Sequence, residues 1–420
     1  MKGPVLQTVS MSPVRPTVDF PDPTSGSRSA AVFAWLGADC PFGLALPNAT
    51  PTASQMYAPR GVWIDDDRLI VCDSGNHRVL IYHTVPTTDH ADADVVLGQS
   101  DFTREGKGYG VGDPTRGLFL PTGVIVVDGR LLVADAWHHR VLVWNEIPDR
   151  SATPPDFAIG QAGLDRATEN RGRGHADRDS LYWPYGIAWD GTRLWIADTG
   201  NRRVVGYDGF PEPGAMADIL IGQPTWQSSE ENRGGEVAAD SFRWPHDIAI
   251  ACGQTACGGL LIADAGNHRV LGWDKTPVQH EVIEDACDRL LGQNDPHTAR
   301  EWPYEPPGPS RLRFPYAVDI DDDIAAVADT ANNRVLFWRL PITSETFAAA
   351  SDVIGQLDFS GNGENRWEQV GRETLSWPYG LSLHRGRLAV TDSGNNRVML
   401  WDVQDIVANK NVLDEAKECY

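Results

Sequence analysis

Short apolar runs, spaced by polar stretches rich in Gly and Pro, recur along this chain in sets of four. The first run of each set follows a proline that is itself preceded by an aliphatic or aromatic residue: Ala58-Pro59, Leu120-Pro121, Trp183-Pro184, Trp244-Pro245, Phe314-Pro315 and Trp377-Pro378. The second ends on an aspartate, as in Leu69-Ile70-Val71-Cys72-Asp73, and the third begins after an arginine, as in Val79-Leu80-Ile81-Tyr82. The fourth ends in Gly-Gln, at Gly98, Gly160, Gly222, Gly292 and Gly355. β-Branched and aromatic runs bounded by turn residues predict strands, and four in series predict a four-stranded antiparallel blade. Several runs are apolar at successive positions, the pattern of a sheet packed on both faces. Proline suits the start of such a strand, where no ladder donor is needed.

Between the second and third runs stands the block Asp-x-x-Asn-x-Arg-Val, starting at Asp73, Asp198, Asp264, Asp329 and Asp392, with a degenerate copy at Asp135. The six copies lie 62, 63, 66, 65 and 63 residues apart, a period that belongs to propellers and arrays. The block is expected to form a turn in which Asp accepts backbone N–H groups and Gly or Asn takes the left-handed conformation. Its arginine is expected to pair with the aspartate of a neighbouring repeat, joining blade to blade. Residues shared by every repeat are read as structural, and residues unique to one repeat as candidates for function.

The sixth set has no Gly-Gln run after Trp401, but Val32-Phe33-Ala34-Trp35-Leu36-Gly37 precedes Pro59 by 22 residues. The other Gly-Gln glycines precede their next prolines by 23 or 24 residues. The N-terminal run is therefore in register to complete the last blade and remove an open edge. The expected fold is all-β, a six-bladed propeller of four-stranded antiparallel blades closed by that N-terminal strand. It occupies residues 31–402. Residues 1–30, rich in Pro, Ser and Thr, are expected to form an extended or disordered arm, and residues 403–420 a tail with one short helix.

Pro-x-Gly-Val, then Val-Ala-Asp-x-x-Asn-x-Arg-Val-Leu-x-Trp, then Ile-Gly-Gln together resemble the NHL-repeat family of β-propellers. The resemblance covers about residues 31–402 and implies the fold. It implies less about function, because the family includes RNA-binding domains of ubiquitin ligases, sensor domains of bacterial kinases and a zinc-dependent amidating lyase. The lyase would need histidines from several blades around one metal. The position after the strand-start proline reads Arg60, Thr122, Tyr185, His246, Tyr316 and Tyr379, and one histidine in six does not carry that activity over.

Charge narrows the partners. The formal net charge is −22, which repels phosphate backbones and anionic lipid, so neither nucleic acid nor membrane is an expected partner. No stretch is apolar enough to span a membrane, and the first ten residues lack the apolar core of a secretory signal, so a cytoplasmic location is expected. The six cysteines form no metal-ligand pattern. Cys72 reads as a small buried hydrophobe, and Cys252 and Cys257, in a hairpin insertion of the fourth repeat, as free thiols.

Strand starts and repeat turns emerge on one face, so their residues should surround one mouth of the central channel, the usual propeller site. Arg60, Thr122, Tyr185, His246, Tyr316 and Tyr379 would line it, suited to a polar or anionic small molecule or the tip of a partner's loop. Trp137 and His138 are the unusual residues of the degenerate turn. His246 and Asp247 are neighbours, but adjacent strand residues face opposite ways, which disfavours a base and its orienter. The long connections after Gly-Gln, with Glu169-Asn170-Arg171, Glu231-Asn232-Arg233 and Glu364-Asn365-Arg366, are expected to wall a funnel above the mouth. The leading expectation is a non-catalytic scaffold that binds a protein partner on this upper face. The alternatives are a metal- or ligand-dependent lyase or hydrolase at the channel mouth, and a small-ligand sensor. No cofactor is predicted, with a metal ion in the central channel left open.

Overall fold

A computed structural model describes residues 30–39, 46, 49–251, 259–277, 281–301, 305–342 and 346–407. The six expected sheets are present, each with four antiparallel strands that run in sequence order from the channel outward in blades 1 to 5. Blade 1 comprises Gly61–Ile64, Leu69–Asp73, Arg78–Tyr82 and Val95–Leu97. The first strands of blades 2 to 6 are Pro121–Val127, Pro184–Trp189, Pro245–Ile250, Pro315–Asp321 and Pro378–His384, and with Gly61–Ile64 they contact one another in a closed ring. Ala31–Gly37 pairs antiparallel with Arg397–Asp402, Trp35 opposite Met399, and completes blade 6 as the register requires. One feature exceeds the expected four strands: Val282–Ile283, from the connection within blade 4, adds parallel to Ile219–Ile221 of blade 3. Such connections shield outer edges elsewhere too, as His90 N–H to Trp35 O (2.7 Å), Ala152 N–H to Val96 O (2.9 Å) and Phe347 N–H to Leu290 O (2.9 Å) show.

There is no single core. Apolar side chains collect in six clusters, one between each pair of adjacent blades, which is why the strands read as continuous apolar runs. The Gly of Gly-Gln is needed for its backbone: Gly98, Gly160, Gly222, Gly292 and Gly355 all have φ between 82° and 92°, and a Cβ on Gly98 would meet Leu118 at 2.6 Å. The Gln then reaches back. Gln223 Nε2 donates to Arg202 O (3.2 Å) and Glu230 O (2.8 Å), fixing the repeat turn to the long connection.

The repeat block is built differently from expectation in three respects. First, the arginine pairs with the aspartate of its own turn: Arg203 Nε donates to Asp198 Oδ2 at 2.7 Å, both side chains fully buried, and all six copies agree. Its other donors bind carbonyls of Trp226, Asp177 and Ser180, so it anchors the loops that flank the blade. Second, the aspartate does not cap its turn. Its other oxygen accepts the N–H of the segment before the strand-start proline, as Asp198 Oδ1 does from Tyr182 (2.7 Å). Third, neither Gly nor the repeat Asn is left-handed; that conformation belongs to the residue after Asn, at His77, His139, Arg202, His268, Asn333 and Asn396.

Blades are joined instead by the hydroxyl after the aspartate. Ser74 donates to Pro121 O (2.5 Å), Thr199 to Pro245 O (2.5 Å), Thr330 to Pro378 O (2.6 Å), and Ser393 to Pro59 O. Ala136 and Ala265 occupy the same place in blades 2 and 4. Thr199→Val keeps the shape and removes one such donor, so urea unfolding is expected to show a loss of about 1 kcal/mol; no change would mean that the joint is made by packing alone.

At the ends, helix Gln404–Val407 is the short C-terminal helix. All of the arm expected over residues 1–30 except Ala30, the Cys252 to Cys257 hairpin and residues 408–420 lie outside the described residues. Cys72 is a buried free thiol whose pKa burial drives upward.

Candidate functional site

Five of the six residues that follow the strand-start prolines close over the channel as a continuous collar. Arg60 lies over the ring of Tyr379 (4.5 Å), which meets Tyr316 (4.3 Å); Tyr316 meets His246 (4.3 Å), and His246 meets Tyr185 (4.2 Å). Arg60 Nη1 completes the circuit by donating to Tyr185 OH at 3.4 Å. That contact crosses blade 2, where Thr122 is too short to reach the lumen's centre and binds Pro184 O in the wall (3.2 Å). The arginine has no carboxylate partner among the described residues.

Burial sets the protonation states here. It pushes the Tyr185 phenol up to about 12, and with the Arg60 charge it pushes His246 down to about 3. His246 is 8% exposed, and neither ring nitrogen has a hydrogen-bond partner among the described residues. Its neighbour Asp247 does not orient it: the Asp247 oxygens accept from Ile248 N (3.0 Å) and Val318 N (3.1 Å). The two residues both line the lumen rather than facing opposite ways as expected, because the register shifts between Pro245 and Asp247.

Below the collar the channel holds a cavity of about 370 Å³ that extends from Arg60 to Asp65 and His384 at the lower rim. Three carboxylates line it, Asp65 at the rim and Asp247 and Asp319 in the wall. Asp319 takes Leu383 N (2.7 Å) and Ile320 N (2.8 Å). Burial raises Asp247 to about 8 and Asp319 to about 7. Asp319 escaped the sequence reading because it merges with the hairpin Asp321-Asp322-Asp323; only its register, four residues after Pro315, marks it as lumen-facing.

Around the mouth on the upper face stands a second, outer ring that the sequence reading treated only as strand markers. Trp183, Trp244, Phe314 and Trp377 precede their prolines. Trp183 stacks on Trp137 (6.2 Å), and Trp244 on Phe314 (6.1 Å). Trp137, Trp183 and Trp377 remain 44%, 38% and 41% exposed. Their backbone is held by the preceding blade: His77, His139 and His268 Nδ1 accept from Leu120, Trp183 and Phe314 N–H (3.2, 3.3 and 3.2 Å), while Asn333 and Asn396 Oδ1 serve Trp377 and Ala58 (2.9 and 3.0 Å). An accepting Nδ1 must be unprotonated, and burial accordingly lowers His77, with His139 and His268 at about 4. These five pre-proline residues all have φ between 44° and 55°, an uncommon conformation for bulky side chains. Arg202 cannot accept, and the residue it faces, Trp244, bonds to Asp264 instead (3.1 Å) and has no positive φ.

The two residues singled out in the degenerate turn part company. Trp137 joins the exposed aromatic ring. His138 turns inward, its Nδ1 2.8 Å from Asp135 Oδ2, and fills the place of the repeat Asn. The Glu-Asn-Arg connections dock on that same Asn, Asn170 Nδ2 to Asn201 Oδ1 at 3.0 Å and Asn365 Nδ2 to Asn395 Oδ1 at 3.1 Å. Among the described residues no three His, Cys, Asp or Glu side chains are grouped to hold a metal ion.

Residues 56–82, the lead-in, first hairpin and repeat turn of blade 1, match the NHL repeat family. The chain is a six-bladed β-propeller whose first blade is similar to the NHL repeat. A human relative, NHL repeat-containing protein 2, is 27% identical over 206 residues, which are 46% of this chain and 26% of that protein. The chain thus spans about a quarter of that relative's length. Among solved structures, a Bacteroides thetaiotaomicron protein of unknown function aligns over 89% of the propeller chain and 75% of its own (12% identity, TM-score 0.47). Kuenenia stuttgartiensis hydrazine synthase aligns over 86% and 97% (13% identity, TM-score 0.45). Likenesses this faint carry no functional meaning. No helix among the described residues of the propeller is long and apolar enough to cross a membrane.

Proposed function

We propose that the propeller is a non-catalytic protein-binding module that receives a partner segment on its upper face. The observation that supports this reading is the exposed aromatic ring of Trp137, Trp183 and Trp377 around a mouth whose centre is already closed by stacked side chains. Exposed tryptophans on rigid backbone are the usual anchors of an interface, because they offer large contact area at little entropic cost. Arg60, lacking a carboxylate partner among the described residues, suits an acidic side chain or chain end on the partner. The collar supplies a floor to this surface, and the scaffold leaves catalysis out.

The test is affinity capture of a partner from the source cells, followed by titration of the identified partner against variants. Trp183→Ala and Trp377→Ala are each expected to weaken binding by about 30-fold, the loss of roughly 2 kcal/mol typical of an anchor. Arg60→Glu should weaken it further, and His246→Ala should leave it within a few-fold of the parent. Full binding by a Trp137, Trp183 and Trp377 triple-alanine variant would refute the upper-face reading.

A further inference from the structure

The cavity beneath the collar has a charge pattern that the fold does not require. Asp247 and Asp319 each tie the first strand of their blade to the next, through Val318 N and Leu383 N. Ser382 makes the same tie from blade 6 to blade 1, accepting from Ile64 N (3.3 Å). Ser382 and Asp319 are register equivalents, each four residues after its strand-start proline. A neutral hydroxyl therefore suffices for the joint. At Asp247 the case is similar: Gly61, Gly123, Gly186, Ala317 and Gly380 occupy its register in the other blades without any acceptor.

Carboxylates in an enclosed lumen are costly unless a cation meets them. Neither has a cationic partner among the described residues. The one cation lining the cavity, Arg60, belongs to the collar, three register positions or about 10 Å along the strand direction from Asp319. His246 adds a second, independent sign. It is more than nine-tenths buried, lines the same cavity and has no hydrogen-bond partner among the described residues, and as a neutral imidazole it offers a further acceptor. Val62, Val124, Ile187, Ile248, Val318 and Leu381 supply apolar wall alongside the hydroxyls of Thr122 and Ser382, with phenol rings above. A volume of about 370 Å³ fits a small organic molecule and is far larger than a bare ion needs. The lower rim carries Asp65, Asp66, Asp128, Asp190 and Asp322 on its hairpins, of which Asp66 is paired with His384 and Arg385 and Asp65 with Arg68.

We propose that this cavity is a binding site for a small organic molecule bearing a protonated primary amine, its ammonium held by Asp247 and Asp319 beneath the aromatic collar. The site is separate from the upper-face surface, so binding persists when Trp137, Trp183 and Trp377 are replaced. Amine binding ionises both carboxylates, whose pKa values are raised in the empty cavity, so affinity rises with pH between 6 and 8.5. The other titratable groups facing the lumen are Asp65 and His384 at the rim, His246 and the three collar tyrosines.

Calorimetric titration of the full chain with benzylammonium, and with benzyl alcohol, putrescine and calcium as comparisons, tests this. One benzylammonium or putrescine per chain is expected at pH 8.5, at least tenfold weaker at pH 6, and no heat from benzyl alcohol. Asp319→Ser, which copies the residue blade 6 already uses, and Asp247→Asn should each lower amine affinity at least tenfold while circular dichroism and the thermal transition stay intact. No amine binding, amine binding unchanged in the double variant, or calcium binding in place of the amines with the same dependence on Asp247 and Asp319 would each overturn the proposal.

Discussion

Asp198→Ala is expected to destabilise the propeller by about 3–5 kcal/mol. The carboxylate is fully buried and makes three kinds of bond at once: to Arg203 Nε (2.7 Å), to Asn201 Nδ2 (2.7 Å) and to the N–H of Tyr182 (2.7 Å). Removing it leaves a guanidinium without its counter-charge in a site of zero exposure. Arg203 cannot swing out to water, because its other nitrogens are bound to carbonyls of Trp226, Asp177 and Ser180. Guanidinium chloride unfolding followed by tryptophan fluorescence measures the loss. The contrast is Asp208→Ala, which breaks the pair with Arg193 (2.6 Å) on the outer surface, where Asp208 is mostly exposed; that should cost under about 1 kcal/mol. Equal losses in the two variants would show that the repeat pair is not what holds the turn.

The same residues explain how much was legible in the sequence. The blade count, the strand order and the closure by Ala31–Gly37 follow from spacing alone, because structural positions recur and spacing is preserved by the ring. The partner of the repeat arginine was not legible. Aspartate and arginine five residues apart across a turn satisfy spacing equally well within a repeat or between neighbours, and only the turn's three-dimensional path selects the former. The post-proline collar was legible as a set, since all six positions can be aligned by eye. Its mutual stacking was not, because whether rings turn toward a ligand or toward one another depends on lumen width.

The outer aromatic ring was overlooked for a different reason. A residue before proline was read as part of the strand start, yet Ala58 and Leu120 fill that place without an aromatic group. The four rings at Trp183, Trp244, Phe314 and Trp377 exceed what the backbone needs, and that excess was a usable signal. Arg202 is the companion case: where five blades offer His or Asn as an acceptor, one offers a donor, and the backbone at Trp244 changes with it.

Stability is expected to peak near pH 6.5 and to fall on both sides, with the alkaline fall carried mainly by Asp247 and Asp319. Their folded pKa values, about 8 and about 7, lie above the ordinary carboxylate range because the lumen disfavours charge. A group raised in this way contributes stability that is complete below its unfolded pKa near 4 and is lost as pH climbs through the folded value. The histidines run the other way. His139 and His268 at about 4, and His246 at about 3, are depressed from 6.5, so their contribution is present above 6.5 and lost as pH falls toward 4. Between 4 and 6.5 the three histidines outweigh the two carboxyls, and stability rises with pH. Above 6.5 the two carboxyls carry most of the difference between the folded and unfolded chain, joined toward pH 8.5 by the buried thiols of Cys72 and Cys287, and raising pH from 6.5 to 8.5 should cost on the order of 2 kcal/mol. Urea midpoints across that range measure it. The Asp247→Asn, Asp319→Ser double variant should flatten the alkaline limb and leave the acid limb in place, since the histidines that accept from Leu120, Trp183 and Phe314 are untouched. An alkaline limb that survives the double substitution would assign the titration to other groups and remove the reason for treating these carboxylates as uncompensated.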